Sequence, residues 1–259
     1  MDRAPGYDPA AYGDDVADIY DRMYRPNTAA VRCLAGLAGA GPVLELAIGT
    51  GRLALPLAAT GLEVHGIDAS AAMVAQLRAK PGGDAVPVVI GDIADVGIEG
   101  EFALVFVAFN TFFVLLTAAE QRRCFANVAR HLSPGGRFVI EAFVPDPSRF
   151  VRDQHVEIGS FGSAGMRVSV SRHDARLQRT SSLVMRVSEE GARAWPVHIR
   201  YSYPAELDTM AADVGLLLEH RWSSWEREPF EPDSATHVSV YVPVARKPSS
   251  TADHRAGSR

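Results

Sequence analysis

The stretch at residues 42–70, PVLELAIGTGRLALPLAATGLEVHGIDAS, constrains this chain more than any other, because it reads as strand, turn, helix and strand in immediate succession. Val43, Leu44 and Leu46 form an apolar run broken only by Glu45. Gly49 and Gly51 mark a tight turn, and residues 52–59 are rich in helix formers. A second strand at residues 63–67 leads into Asp68, nineteen residues beyond Gly49. That is close to the spacing at which a carboxylate meets the ribose hydroxyls of a bound nucleoside. Glycines at the turn admit a ligand where a Cβ would not, and the start of the following helix offers unpaired N–H groups to a negative group. The stretch therefore predicts a nucleoside-cofactor site.

Gly49, Gly51 and Ala54 also satisfy the G-x-G-x-x-G/A pattern of dinucleotide binding, and alone they fit a plain strand-to-helix turn equally well. The wider order of motifs is more specific. ELAIGTG, GIDAS, GDI at residues 91–93 and LSPGGRFVIEAF together resemble the class I S-adenosylmethionine-dependent methyltransferases over about residues 43–143. Ala47 and Ile48 depart from the pattern, standing where many members carry Gly and Cys or Ala. The resemblance implies S-adenosyl-L-methionine as cofactor, bound by Tyr20, Glu45, Ala47, Gly49, Gly51, Arg52, Asp68, Ala69, Met73, Gly91, Asp92, Ile93 and Phe109. Within that set Asp92 would accept from the adenine amino group and Ile93 would cover the ring. The composition of the turn alone reads Asp92 equally well as a turn residue.

In layout the chain resembles the bacterial amino-sugar N-methyltransferases, whose pocket tyrosines lie in a segment similar to DIYDRMY at residues 18–24. This implies an acceptor set of Tyr24, Asn110, Thr111, Phe113 and His198. Packing of Tyr20 and Tyr24 on the sheet edge is the competing use of those rings. The amino-sugar enzymes place a histidine a few residues after the fourth strand, whereas NTFFVLL at residues 110–116 has none. Phe112, Phe113 and Val114 point instead to a less polar acceptor.

The chain has 259 residues, 47% of them hydrophobic, enough for one domain with an insertion. A net charge of −5 provides no basic field for nucleic acid, so a small molecule is the expected partner. Cys33 and Cys124 are the only cysteines and indicate neither a disulfide framework nor a metal site. No basic-then-apolar leader is present and no apolar run reaches about 18 residues, so a cytoplasmic location without membrane association is expected.

The expected fold is α/β: a Rossmann-like doubly wound sheet, mostly parallel with an antiparallel last strand. An antiparallel β insertion follows the fifth strand. Residues 1–14 and 247–259 read as flexible ends, 15–150 as the cofactor-binding core with N-terminal helices, 151–204 as the insertion, and 205–246 as completion of the core. Helices are expected at residues 15–24 and 28–38, and a buried strand at 86–90. Central strand 102–109 ends in the polar pair Asn110-Thr111, and Thr117 caps a helix to His131.

Alternation such as MRVSVSRH and WPVHIRYSY marks the insertion as antiparallel, with turns at residues 159–165, 173–175 and 189–191. Phe161, Met166, Val168, Val184, Trp195 and Ile199 are read as one dry face. That face covers either the acceptor pocket, where it sets substrate choice, or a homodimer partner. His155, His173 and His198 are available bases, each expected at the surface, and no catalytic residue is singled out. Trp195, Trp222 and Trp225 could line an acceptor pocket, although strand tryptophans more often serve a core.

The expected activity is in-line methyl transfer to nitrogen or oxygen of a small molecule, in secondary metabolism. A NAD(P)-dependent oxidoreductase and a non-catalytic or non-methylating S-adenosylmethionine-binding protein are the alternatives. No Tyr precedes a Lys by four residues, so the short-chain dehydrogenase pair is missing.

Overall fold

The computed structural model describes residues 8–95, 97–162, 165–189 and 191–244. The readings made for residues 1–7 and 247–259, and for the tips of two of the insertion's turns, lie outside these. Three helices, α1 (Ala11–Val16), α2 (Tyr20–Met23) and α3 (Thr28–Ala38), precede the first strand. The single helix expected at residues 15–24 is two short ones, and α1 begins inside the stretch read as flexible. Gly13 makes this docking achievable, since a Cβ there would stand 2.5 Å from the Cβ of Ser70. Val16, Ala17 and Ile19 then enter one apolar cluster with Met73 and Trp195.

The chain continues through β1 (Val43–Leu46), α4 (Ala54–Ala58), β2 (Val64–Asp68), α5 (Ala71–Arg78), β3 (Val88–Ile90), β4 (Phe102–Val107), α6 (Ala118–His131) and β5 (Leu132–Phe143). The insertion supplies β6 (Gln154–Gly162), β7 (Gly165–Asp174), β8 (Arg179–Ser188) and β9 (Gly191–Arg200). After it come α7 (Pro204–Asp213), β10 (Leu216–Trp222) and β11 (Thr236–Pro243). Seven strands form the main sheet in the order β10-β11-β5-β4-β1-β2-β3. β11 alone runs against the direction of the other six strands.

Adjacent side chains of β4 serve opposite faces. Leu104 and Phe106 pack with Leu34, Leu37 and Leu57 on one side, and Val105 and Val107 pack with Phe125, Val128 and Leu207 on the other. Both faces of this central strand are therefore covered, which is why its sequence is an unbroken apolar run. The strand expected at residues 86–90 is shorter and is not buried: β3 is the sheet edge, and Ile90 is 54% exposed. Helix starts follow the caps: the side chains of Asn27, Ser70 and Thr117 accept from the backbone N–H groups of Ala30, Met73 and Glu120.

The insertion is a four-stranded antiparallel meander, β6-β7-β8-β9. Its register corrects the single dry face, because Val168 pairs with Met185 while Val184 pairs with Trp195, putting the two pairs on opposite sides. Val184, Trp195 and Ile199 face inward onto α1 and the turn after β4. Phe161, Met166 and Val168 share the outer side with Val156, Ile158, Val170 and Leu183, and Phe161 is 83% exposed. His173 is a second correction: it belongs to β7 and is buried, with its Nε2 2.8 Å from the Tyr201 hydroxyl.

His237 on β11 is fully buried, its Nδ1 2.9 Å from Ser239 Oγ. Burial holds its imidazole at about 4, down from 6.5, with Arg221 pulling the same way. The folded state therefore prefers the neutral ring. The stability tied to it is intact above the unfolded value of 6.5 and is lost as pH falls from 6.5 to about 4. The expected loss is about 3 kcal/mol, and His237→Gln should flatten that part of the curve in urea melts across the range. Parallel decline of variant and wild type would assign the acid sensitivity elsewhere.

Candidate cofactor and acceptor site

The ends of β1, β2, β4 and β5 open on one rim, and the turns leaving them gather most of the expected residues. Ala47, Gly49 and Gly51 all adopt positive φ, at 58°, 57° and 78°. Glycine tolerates this region and alanine pays about 1 kcal/mol for it. Ile48, the other departure from the family pattern, is buried, and its side chain fills the space over Gly66, where a Cβ would come within 2.3 Å of Ile48 Cδ1. A glycine inside β2 thus compensates a bulky residue in the turn. Asp68 accepts from the N–H groups of Gly49 at 2.7 Å and Ser70 at 2.8 Å, tying the first turn to the second. Gly91 N–H in turn donates to the carbonyl of Asp68 at 2.9 Å, and half-buried Ala69 lies between the two anchor residues.

Glu45 is the most unusual group of the rim. It is 6% exposed, and its Oε2 has no hydrogen-bond partner among the described residues. Burial pushes its carboxyl up to about 8; Arg52 pulls the other way, and Asp68 adds to the rise. A buried carboxylate oxygen with nothing to accept from costs free energy until a cationic donor reaches it. The α-amino group of S-adenosylmethionine is such a donor, and the positive-φ turn beside Asp68 is a cradle that side chains would fill. The residues present fit the cofactor.

Around Phe109 an aromatic group closes the rim. Tyr24 meets Phe109 edge-on at 4.9 Å between centroids, Tyr20 lies 5.0 Å from Tyr24, and the Arg52 guanidinium sits 4.9 Å over the Phe109 ring. Phe109 and Asn110 both have positive φ, near 60°, held by β5: Phe109 N–H donates to Glu141 Oε2 at 2.7 Å, and Asn110 N–H to the Glu141 carbonyl at 3.1 Å. A cavity of about 270 Å³ opens here, lined among others by Tyr24, Arg52, Leu53, Phe109, Glu141 and Trp225. Glu141 was missed from sequence, whereas Trp225 is one of the three tryptophans read as able to line a pocket. A lone carboxylate in the apolar run RFVIEAF was the available signal for Glu141.

Four expected residues lie elsewhere or serve otherwise. Phe113 is fully buried and packs edge-on against Phe143 at 5.1 Å, so it belongs to the core and not to an acceptor pocket. His198 is exposed on the outer side of the insertion, paired with Ser181 across the strand, so it faces away from the rim. The Asn110 side chain accepts from Phe143 N–H at 2.7 Å and clamps β4 to β5. Met73 is buried in the cluster under α1. Thr111 is half-buried in the turn after β4. At the end of β3, Asp92 Oδ1 accepts from Ala94 N–H at 2.9 Å, while Ile93 is buried in the core.

A family model described as "Methyltransferase domain" matches residues 43–136. The solved structure of the CcbJ methyltransferase from Streptomyces caelestis superposes with a TM-score of 0.85 at 39% identity, covering 92% of this chain and all of that one. The chain belongs to the class I S-adenosylmethionine-dependent methyltransferases. Two curated relatives share this membership. The dTDP-4-amino-2,3,4,6-tetradeoxy-D-glucose N,N-dimethyltransferase of Saccharopolyspora spinosa is 33% identical, covering 68% of this chain and 73% of its own length. The cypemycin N-terminal methyltransferase of a Streptomyces species is 26% identical over 86% of this chain and 94% of its own. The enzyme uses S-adenosylmethionine.

Asp68→Ala is expected to weaken S-adenosylmethionine binding by about 1.5–3 kcal/mol, the scale of charge-assisted hydrogen bonds lost, as read by calorimetry. Glu45 gives a second signature. An ammonium favours its ionised form, so below about pH 7 binding should release a proton, seen as a dependence of the heat on buffer ionisation enthalpy. Glu45→Gln should abolish that dependence. Heats that do not change with buffer in the wild type would remove Glu45 from the cofactor site.

Proposed function

We propose that this methyltransferase transfers the methyl group to an amino nitrogen of a small-molecule acceptor, in the cytoplasm and with no nucleic-acid partner. The observation that carries the reading is the cavity at the rim, where the Glu141 carboxylate stands among Tyr24, Phe109 and Trp225. Ring faces with a fixed negative charge suit an amine that is cationic or becoming so. The two curated relatives described above are named as methyltransferases of amino groups, which agrees. No described helix is long and apolar enough to cross a membrane.

When bound, S-adenosylmethionine supplies a methyl group already joined to its leaving group, so the protein's work is alignment and exclusion of water. In this reading Glu45 takes the cofactor's amino group and Asp68 its ribose hydroxyls, with Asp92 and Ile93 on the adenine side. Glu141 has one oxygen fixed by Phe109 N–H and turns the other toward an acceptor N–H. The acceptor nitrogen gains positive charge during transfer, so the fixed carboxylate and the ring faces favour the transition state over the ground state. A hydroxyl acceptor would need a base, and His155, His173 and His198 are not among the cavity's lining residues. The inner face of the insertion, residues 151–204, covers the acceptor side and sets its choice, while the apolar outer face packs on a second copy of the chain.

Glu141→Gln keeps the acceptor oxygen for Phe109 N–H and removes the charge. It should lower kcat/KM for an amine acceptor by roughly 100-fold and leave S-adenosylhomocysteine affinity unchanged. The test is S-adenosylhomocysteine release over a panel of amino sugars and other amines against their hydroxyl analogues. Equal turnover of both classes, or an unaffected Glu141→Gln variant, would refute the amine assignment.

A further inference from the structure

The inner face of the insertion carries a row of three arginines. Arg167 of β7 lies directly opposite Arg186 of β8, and Arg186 directly opposite Arg193 of β9, so all three side chains leave the same side of the sheet. It is the side on which Val184 and Trp195 pack against α1. Like charges placed directly across strands repel, and such a row persists only where negative charge answers it. Arg193 has its answer: its Nη1 lies 2.9 and 2.8 Å from the two oxygens of Asp18. Among the described residues no carboxylate pairs with Arg167 or Arg186. The nearest acidic residue in register, Glu157 opposite Ser169, is held by Arg149.

Arg167 is also built into place. Its Nε is buried without a hydrogen-bond partner among the described residues. Its Nη1 occupies the space over Gly159, where any Cβ would come within 2.7 Å, and Gly159 falls at the bulge between Ile158 and Ser160. Tyr12, whose hydroxyl feels the Arg167 charge, packs with Tyr20 on the cluster beneath this face, and Tyr20 lies 5.0 Å from Tyr24 of the acceptor cavity. A desolvated donor, an uncompensated neighbour and a position beside the tyrosines that lead to that cavity belong to one site.

We propose that Arg167 and Arg186 bind an anionic oxygen group, phosphate or carboxylate, carried by the acceptor at the end remote from the nitrogen that is methylated. The proposal rests on the acceptor reading above and deepens it. In a chain of net charge −5 an anionic acceptor is disfavoured by the overall field, so a local arginine pair is what would hold it. Paired planar guanidinium groups suit such oxygens better than lysines would.

Two measurements test this. In the first, inorganic phosphate, inorganic pyrophosphate and acetate are titrated against the wild type, Arg167→Gln and Arg186→Gln, with S-adenosylhomocysteine affinity confirming that each variant is folded. Wild type should bind one or more of these probes, and each variant should lose at least tenfold in affinity. Response to the phosphates alone assigns a phosphate group, and response to acetate a carboxylate. In the second, amines with and without an attached anionic group are compared as substrates. Both variants should raise KM about tenfold for anionic amines, with kcat and all neutral-amine parameters unchanged, and Arg167→Lys should recover part of the loss. Probe affinities that are absent in wild type or equal in all three proteins overturn the proposal, as does equal loss on neutral and anionic amines. Failure of every amine as a substrate would count against the acceptor reading, and the probe titration would still decide the arginine site.

Discussion

The carboxylate of Asp68, accepting from Gly49 and Ser70 N–H groups, is the contact on which the rim depends. It joins the turn after β1 to the turn after β2, so the two loops hold one geometry without a ligand between them. Ser70 then caps α5 and its hydroxyl donates to Asp14 at 2.6 Å, which positions α1. A second clip acts on the first turn itself. Thr50 donates to Asp21 at 2.6 Å, and Lys80 Nζ reaches both Asp21 and the Thr50 carbonyl. The N-terminal helices are therefore held by the turns after β1 and β2, and a change in one is felt in the other.

The insertion is fastened by contacts of unequal worth. The exposed Asp18–Arg193 pair contributes little in water, whatever its geometry. Arg200 is different: it is 8% exposed, and it donates to Gln121 Oε1 at 2.6 Å, Ser202 Oγ at 2.7 Å and Gln178 Oε1 at 2.7 Å. Gln121 on α6 returns a bond to the Arg200 carbonyl at 2.8 Å. This satisfied buried network, with Trp195 and Val184 packed on α1, fixes where the second sheet sits over the first. The position of the arginine row follows from it.

Much of this was legible in the chain. Strong local signals, the Asn27, Ser70 and Thr117 caps and the apolar run of β4, located elements because they act within a few residues. The glycine spacing and Asp68 marked the turns after β1 and β2, which the structure joins through Asp68. What failed were inferences that need register. Whether Val168 and Val184 share a face depends on the pairing of β7 with β8, and a shift of one residue reverses it. Phe113 reads as a pocket residue by its place after a strand, yet the short turn at residues 111–114 folds it back onto Phe143. His173 reads as a turn residue because the β7–β8 turn comes a little later than its polar neighbours suggest. Of the three tryptophans read as possible pocket residues, Trp225 lines the cavity from the loop between β10 and β11 while Trp195 packs under α1, a distinction that no local pattern announces.

Charge along the proposed site is ordered in a way that a fold requirement alone does not explain. Glu45, Asp68 and Glu141 stand at the ends of β1, β2 and β5, while Arg167 and Arg186 stand on the insertion, beyond the tyrosines. Were these charges only structural, they would be paired with one another, because desolvated carboxylates and guanidinium groups gain most from direct contact. Instead, among the described residues, Glu45 keeps an oxygen without a partner and Arg167 a buried donor without one, and the aromatic residues Tyr12, Tyr20, Tyr24 and Phe109 lie between the two zones. Such a separation costs the empty protein stability. It is offset when a ligand set brings positive charge to the strand ends and negative charge to the insertion, so the ligands complete an electrostatic arrangement that the chain leaves open.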